Sequence, residues 1–364
     1  MSPVPSRASH SHHRHDRTLP ADAPRLQAKW SLLDLNFLQR IGAAFIGRKE
    51  YALLVLLALS CQSHDANAAG DFDYQLQAVA IAEHTYLVPG TTEDFSMSNG
   101  GNIVNTAFVV TDAGVVLIDT GPSLRYARQL ASVIADITPL PVVAAIITHH
   151  HPDHWFGNQF YTQIPIYALP ETIEAMVLEG DNFADNLYRM SGDWMRSTQP
   201  VAANAPVPVP SLVVGNHDFQ LIPLEGHTVA DLAVLDTTTG VLFTGDLAFH
   251  QRTPTTPHAN LARWQTSLNT LGDLEFSLLV PGHGPTDTDG RAIAFTRRYL
   301  TWLEQLLEQS ARTGASPTEV MQAEIPAAFS DAGVVREELA RSVVHLYGPY
   351  EQGTLQTVKS GGYN

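Results

Sequence analysis

The segment Thr148-His149-His150-His151-Pro152-Asp153-His154 constrains this chain more than any other. It gathers imidazoles and a carboxylate into a few residues directly after 142–147 (VVAAII), an unbroken apolar run of the kind that forms a buried strand. Neutral imidazole nitrogens and carboxylate oxygens are the donors zinc takes in catalytic sites, and a loop at a strand end lets alternate side chains converge on one point. His149 and His151, two apart, can face one ion, while Asp153 and His154 turn toward a second. The plain alternative is a histidine run without metal, and the later histidines and aspartates described below weigh against it.

The rest of the pattern alternates strand and helix. Short apolar runs over 74–88 (YQLQAVAIA, TYLV) predict strands that open a sheet, and a turn at Asn99-Gly100-Gly101-Asn102 leads into a strand over 103–110. Asp112-Ala113-Gly114 turns into a strand over 115–118. Leu130, Val133, Ile134 and Ile137 fall at helical spacing and predict a helix over 124–137. Residues 164–168 and 220–223 read as strands and 171–178 as a helix; between them 180–210 reads as an insertion that ends in an extended Pro/Val/Ala loop. Its 181–198 part mixes Trp194, Tyr188, Arg189 and Arg196 with acids, which suits either a lid or docking surface or a helix packed on the core. Residues 232–235 and 241–243 form a hairpin, a strand follows at 278–280, an amphipathic helix at 291–310, and a helical region over 317–347. His258, Arg263 and Trp264 have no position that the sequence fixes.

The N-terminal part reads as an export signal. Arg48 and Lys49 precede an apolar run at 51–60 (YALLVLLALS), too short to cross a bilayer but of h-region length, and Ala66-Asn67-Ala68 follows as an A-x-A cleavage pattern. The domain plan is therefore a leader at 1–68, a main domain at 69–310 carrying the 180–210 insertion, and a helical extension at 311–364. The 47 residues ahead of Arg48 point to a start further downstream, and the histidines of His10-Ser11-His12-His13-Arg14-His15 are read as solvated leader. Cys61, the sole cysteine, lies inside the leader, so a processed chain has no thiol for an oxidising compartment to attack. No stable membrane association is expected after processing. The formal charge of −16 argues against a polyanion-binding role, because neutralising phosphates takes clustered Lys and Arg. Residues 1–68 carry 8 Lys+Arg against 5 Asp+Glu, which leaves 13 against 32, a net of −19, for the remainder. Nucleic acid is thus not the expected partner; a small-molecule substrate is.

His149-x-His151-x-Asp153-His154 resembles the defining motif of the metallo-β-lactamase superfamily, and the other elements of that pattern follow in order. Asp119 ends VVLID before Thr120-Gly121, His227 lies in Gly226-His227-Thr228, Asp246 in Phe243-Thr244-Gly245-Asp246, and His283 in Pro281-Gly282-His283-Gly284. The resemblance implies an α/β fold of two mixed β-sheets flanked by helices, an αββα sandwich, with the metals at the sheet edge. It implies one zinc on His149, His151 and His227 and a second on Asp153, His154 and His283. Asp246 would bridge the two, and Asp119 would hold the ligand loop by hydrogen bonds. Two zinc ions imply a hydroxide between them that attacks an acyl or phosphoryl centre, with Asp153 or Asp246 orienting it.

Asp at position 246, where β-lactamases that hold the second zinc by sulfur carry Cys, is similar to glyoxalase II-like thioesterases and lactonases. The implied substrate is a small ester, thioester or lactone; an iron-dependent persulfide dioxygenase shares several of the same ligands. Further stretches resemble the quinoprotein relay system zinc metallohydrolases: Asp94-Phe95-Ser96 through Asn105, Asp119 through Tyr126, Phe183 through Arg189, and Gly192-Asp193-Trp194-Met195-Arg196. That resemblance implies a periplasmic location and a quinoprotein dehydrogenase or cytochrome as partner. The rival to an enzyme is a non-catalytic, metal-bearing accessory module for such a quinoprotein.

Overall fold

The computed structural model describes residues 72–361, with side chains described to residue 354. The h-region at 51–60, Cys61, the cleavage pattern at Ala68 and the His10–15 cluster lie outside the described residues. Twelve strands of these residues form two sheets. The first runs β1(Val79–Ala82), β2(Thr85–Val88), β3(Thr106–Thr111), β4(Gly114–Ile118), β5(Val142–Ile146), β6(Ile166–Ala168) and β7(Ala205–Pro206), in that spatial order. Its first four strands form an antiparallel meander, and β4 to β7 are parallel. The second sheet has the order β12-β11-β10-β9-β8, from β8(Ser211–Val214), β9(His217–Leu224), β10(Asp231–Asp236), β11(Val241–Phe249) and β12(Leu278–His283). Only β11 and β12 are parallel there.

The pleat explains why both faces are buried. Successive side chains of a strand point to opposite faces, and in β4 Val115 and Leu117 join one core while Val116 and Ile118 join another. In β10, Leu232 and Val234 meet the first sheet's Val109, Val116 and Ile146, whereas Ala233 and Leu235 face the helices on the far side. Three apolar cores therefore lie in series: helix–sheet, sheet–sheet, sheet–helix. This is the expected αββα sandwich. The outer layer on the first sheet comprises α1(Leu124–Ile137) and α3(Pro170–Ser191), with the short α2(Pro152–Trp155) between them in sequence. On the second sheet lie α4(Leu261–Gly272), α5(Arg291–Thr313), α6(Pro317–Met321) and α7(Val335–Gly361).

Several boundaries differ from the sequence reading. The helix expected over 171–178 begins at Pro170 and continues to Ser191, and a 3-10 turn over Gly192–Met195 follows. Gly180 does not break it, because the absent side chain is what lets the helix pass against Trp155 and Pro200. Gly192, at φ 62°, ends it in a backbone conformation that glycine adopts freely. The strand expected from residue 103 starts only at Thr106, since 103–105 is held by the other sheet: Asn105 Nδ2 donates to the carbonyls of Pro281 and Gly284. The helical region over 317–347 is two helices, and α7 packs Leu339, Val343 and Tyr347 into the same core as Leu300 and Leu303 of α5. Among the described residues no helix is long and apolar enough to cross a membrane.

Candidate metal centre

Strand β5 ends at Ile146, and the chain turns across the sheet edge through Thr148–His151 into α2. Pro152 opens that helix with a φ already suited to it, leaving His151 extended at its cap and Asp153 and His154 in its single turn. From the other sheet, β11 supplies Asp246 and the end of β12 supplies His283, while His227 sits on the turn between β9 and β10. Both sheets thus deliver donors to one edge.

One ligand atom from each of His149, His151, His227 and Asp246 lies within 4.8 Å of the others, and Asp153, His154 and His283 form an adjacent group on the same criterion. Asp246 stands between them. Its Oδ2 is 3.8 Å from His149 Nε2 and 3.3 Å from His227 Nε2, and its Oδ1 is 3.2 Å from His154 Nε2 and 3.3 Å from His283 Nε2. His283 Nε2 is also 3.4 Å from Asp153 Oδ2. His151 presents Nδ1, 2.8 Å from His227 Nε2. Donors bonded at about 2.0 Å to a tetrahedral ion sit about 3.3 Å apart, so these separations are those of a ligand shell.

The unpartnered atoms test the fit. His149 Nε2, His154 Nε2, Asp153 Oδ2 and Asp246 Oδ1 are buried and have no hydrogen-bond partner, and all four point into this region. Orphaned buried polar atoms cost free energy unless something else satisfies them, and a cation does. Charge argues the same way. Burial holds the His149 and His151 imidazoles well below their ordinary pKa, and takes His227 down to about 3, so these rings offer lone pairs at neutral pH. Burial also opposes charge on His154, but Asp246, Asp119 and Asp153 outweigh it and push its pKa well up. Three carboxylates thus call for positive charge at the second group, which either a proton or a metal ion supplies.

A surrounding layer holds the donors. Asp119, at the end of β4 and at φ 59°, accepts from Thr148 N at 2.8 Å and Thr148 Oγ1 at 2.9 Å, and pairs with His154 Nδ1 at 2.7 Å. Its carboxylate therefore ties the ligand loop to the sheet and aims His154 Nε2 inward. His283 Nδ1 donates to the Ile103 carbonyl at 2.7 Å, leaving its Nε2 for the centre. Gly282 is glycine for a steric reason: a Cβ there would collide with Asp246 Oδ1. The His150 ring lies behind the centre, near Glu179, and burial lowers its pKa to about 4.

A cavity of about 340 Å³ opens over the site, with His151, Asp153, Asp246 and His283 in its lining. Phe183, Leu187 and Met190 of α3 give it an apolar lining, and Arg252 with Arg341 and His345 of α7 also line it. Arg252 and Arg341 share Glu338, at 3.4 and 2.5 Å, and Arg341 also reaches Asp94 at 3.0 Å. The sequence reading did not place Arg252, Arg341, His345 or Glu179 at the site. Only the Glu338/Arg341 spacing on a helix hinted at an ion pair there, and nothing in it pointed to the centre. His258, left unplaced, stands 2.8 Å from His151 Nε2.

The family model of the metallo-beta-lactamase superfamily matches residues 99–283, about half the chain and all seven of these donors, and the protein belongs to that superfamily. It is 28% identical over 190 residues to a beta-lactamase-like protein 2 homolog of Caenorhabditis elegans, a match that covers 50% of this chain and 56% of that one. The chain thus spans little more than half the length of that relative. It is 23% identical over 204 residues to a probable metallo-hydrolase of Streptococcus pyogenes, covering 50% and 80% respectively. Among solved structures, the metallo-beta-lactamase IND-7 superposes with a TM-score of 0.51 at 23% identity, over 62% of this chain and 98% of that one, a likeness of fold.

Proposed function

We propose that the protein is an exported binuclear zinc hydrolase that cleaves a small ester, thioester or lactone. The observation that carries this reading is the division of Asp246 between two donor groups, Oδ2 toward His149 and His227 and Oδ1 toward His154 and His283. A single-ion site has no use for a buried carboxylate shared in this way. His149, His151 and His227 would hold one ion and Asp153, His154 and His283 the other. When bound, such ions polarise a substrate carbonyl and bring the pKa of water toward neutrality.

The chain's own residues supply the remainder. Asp153, buried beside the second donor group, would orient the attacking water with the carboxylate oxygen that the ion leaves free. The apolar lining of Phe183, Leu187 and Met190 suits an apolar acyl portion. Asp rather than Cys at 246 supports acyl chemistry of the thioesterase and lactonase kind over penicillin hydrolysis. The leader pattern at 48–68 supports export to the periplasm, and the 94–105, 119–126, 183–189 and 192–196 stretches support service to a quinoprotein dehydrogenase or its cytochrome.

Metal content and a hydrolysis panel on the purified full chain test this together. The panel holds thioesters, lactones, phosphoesters and a chromogenic cephalosporin. The expected result is two zinc per chain and turnover of an acyl substrate that Asp246→Ala abolishes. Two zinc without turnover would favour the accessory-module reading, and one iron per chain would favour oxygen chemistry.

A further inference from the structure

Behind the first donor group lies a second row of polar side chains. His151 faces the centre with Nδ1, 2.8 Å from His227 Nε2, and turns its other nitrogen, Nε2, to His258 Nδ1 at 2.8 Å. His258 Nε2 in turn lies 3.4 Å from Glu179 Oε2. The three residues come from three places: the ligand loop, the turn ahead of α4, and the middle of α3. The row runs from a buried ring to side chains about a third exposed, 35% for His258 and 36% for Glu179.

We propose that His258 and Glu179 form a positioning relay that fixes the ring orientation and tautomer of His151. The inference rests on the reading above that His151 holds a metal ion. The proton count then decides each role. A neutral imidazole that gives its Nδ1 lone pair to a metal carries its proton on Nε2. Nε2–H therefore donates to His258 Nδ1, which must be the lone-pair nitrogen of that ring. His258 in consequence carries its proton on Nε2, the nitrogen that faces the Glu179 carboxylate at 3.4 Å. The proton between the two rings meets a lone pair, and the nearby carboxylate favours this tautomer over its reverse electrostatically. Such partners behind a ligating histidine raise its basicity and hold its plane.

The same residues suggest a competing use, because His150, His151 and His258 also bring ligand atoms within 4.8 Å of one another. A third ion bound by His258 Nε2 would force the His258 proton onto Nδ1. That proton would meet the Nε2–H of His151 at a 2.8 Å separation with no lone pair between them. Occupation of the first group through His151 Nδ1 and a third ion on His258 are thus mutually exclusive for neutral rings, and the relay is the arrangement compatible with the main centre.

The test is zinc affinity of the full chain, measured by competition with a chromogenic chelator. Histidine-15N NMR of the zinc-loaded protein reads the His151 tautomer, and thermal unfolding confirms that each variant is folded. His258→Phe keeps a ring but removes both nitrogens, and should weaken one of the two zinc sites by about 10- to 100-fold while the other is unchanged. The protected His151 Nε2–H signal should disappear with it. His258→Gln, whose amide both accepts and donates, should restore most of the affinity, and Glu179→Gln should give a smaller loss. Wild-type affinity in folded His258→Phe would overturn the relay, as would a loss that His258→Gln fails to repair. A third zinc equivalent in the wild type that His258→Phe removes would establish the competing site instead. Absence of any zinc binding by the wild type would overturn the binuclear reading itself, an outcome distinct from two sites indifferent to position 258.

Discussion

Asp119 and Gly282 show how much a centre depends on residues that are not its donors. Asp119 accepts three hydrogen bonds, two from Thr148 and one from His154 Nδ1. An amide can replace the acceptor for Thr148 but offers no second acceptor for the His154 ring. Asp119→Asn should therefore lower zinc affinity at the Asp153/His154/His283 group by about 10- to 100-fold with little change in fold, as read by chelator competition. Gly282→Ala places a methyl on Asp246 Oδ1 and should displace the carboxylate shared by both groups, so equilibrium dialysis should find affinity at both sites reduced. All seven residues that cluster here lie in motifs legible in the sequence, because a histidine-rich loop after a buried strand and short Gly-flanked turns carry their chemistry within a few residues. His258, Glu179 and Arg341 were not. Their roles depend on distances across the fold, such as the 107 residues between His151 and His258, that no local pattern encodes.

At the level of elements, most of the short apolar runs read as strands are strands, although 74–78 and 103–105 are not, and α1 is bounded as the helical period predicts, because its apolar stripe faces one core. The helix expected over 171–178 runs on to Ser191, because Gly180 serves close packing and Gly192, with positive φ, stops it. The consequence is functional, since the extra turns of α3 give the cavity its apolar lining. Helix α7 also lines the cavity and is anchored in the core. Leu339 is fully buried there, so Leu339→Ala should cost roughly 2–5 kcal/mol in denaturant unfolding. Glu338→Ala leaves the Arg252 guanidinium buried without its carboxylate and should cost roughly 3–5 kcal/mol, whereas a neutral surface substitution on the same helix should cost little.

On the scale of the whole molecule, the two sheets share an apolar core but contribute different donors to one edge. His149, His151, Asp153 and His154 follow the first sheet's β5, and His227, Asp246 and His283 belong to the second. An ion held by both sheets binds the folded chain and not the unfolded one, so it stabilises the sandwich. Each site stabilises by about 2.7 kcal/mol when free metal is a hundred times Kd. Chelation should lower the melting temperature, and zinc should restore it; a melting temperature indifferent to chelator would mean that the donors are held by packing alone. The most direct test is metal stoichiometry by elemental analysis of the wild-type chain beside Asp246→Ala. The account predicts two zinc per wild-type chain and loss of both, or a large weakening of both, in the variant. One ion in the wild type, or two retained at full affinity without Asp246, would contradict a centre built around that shared carboxylate.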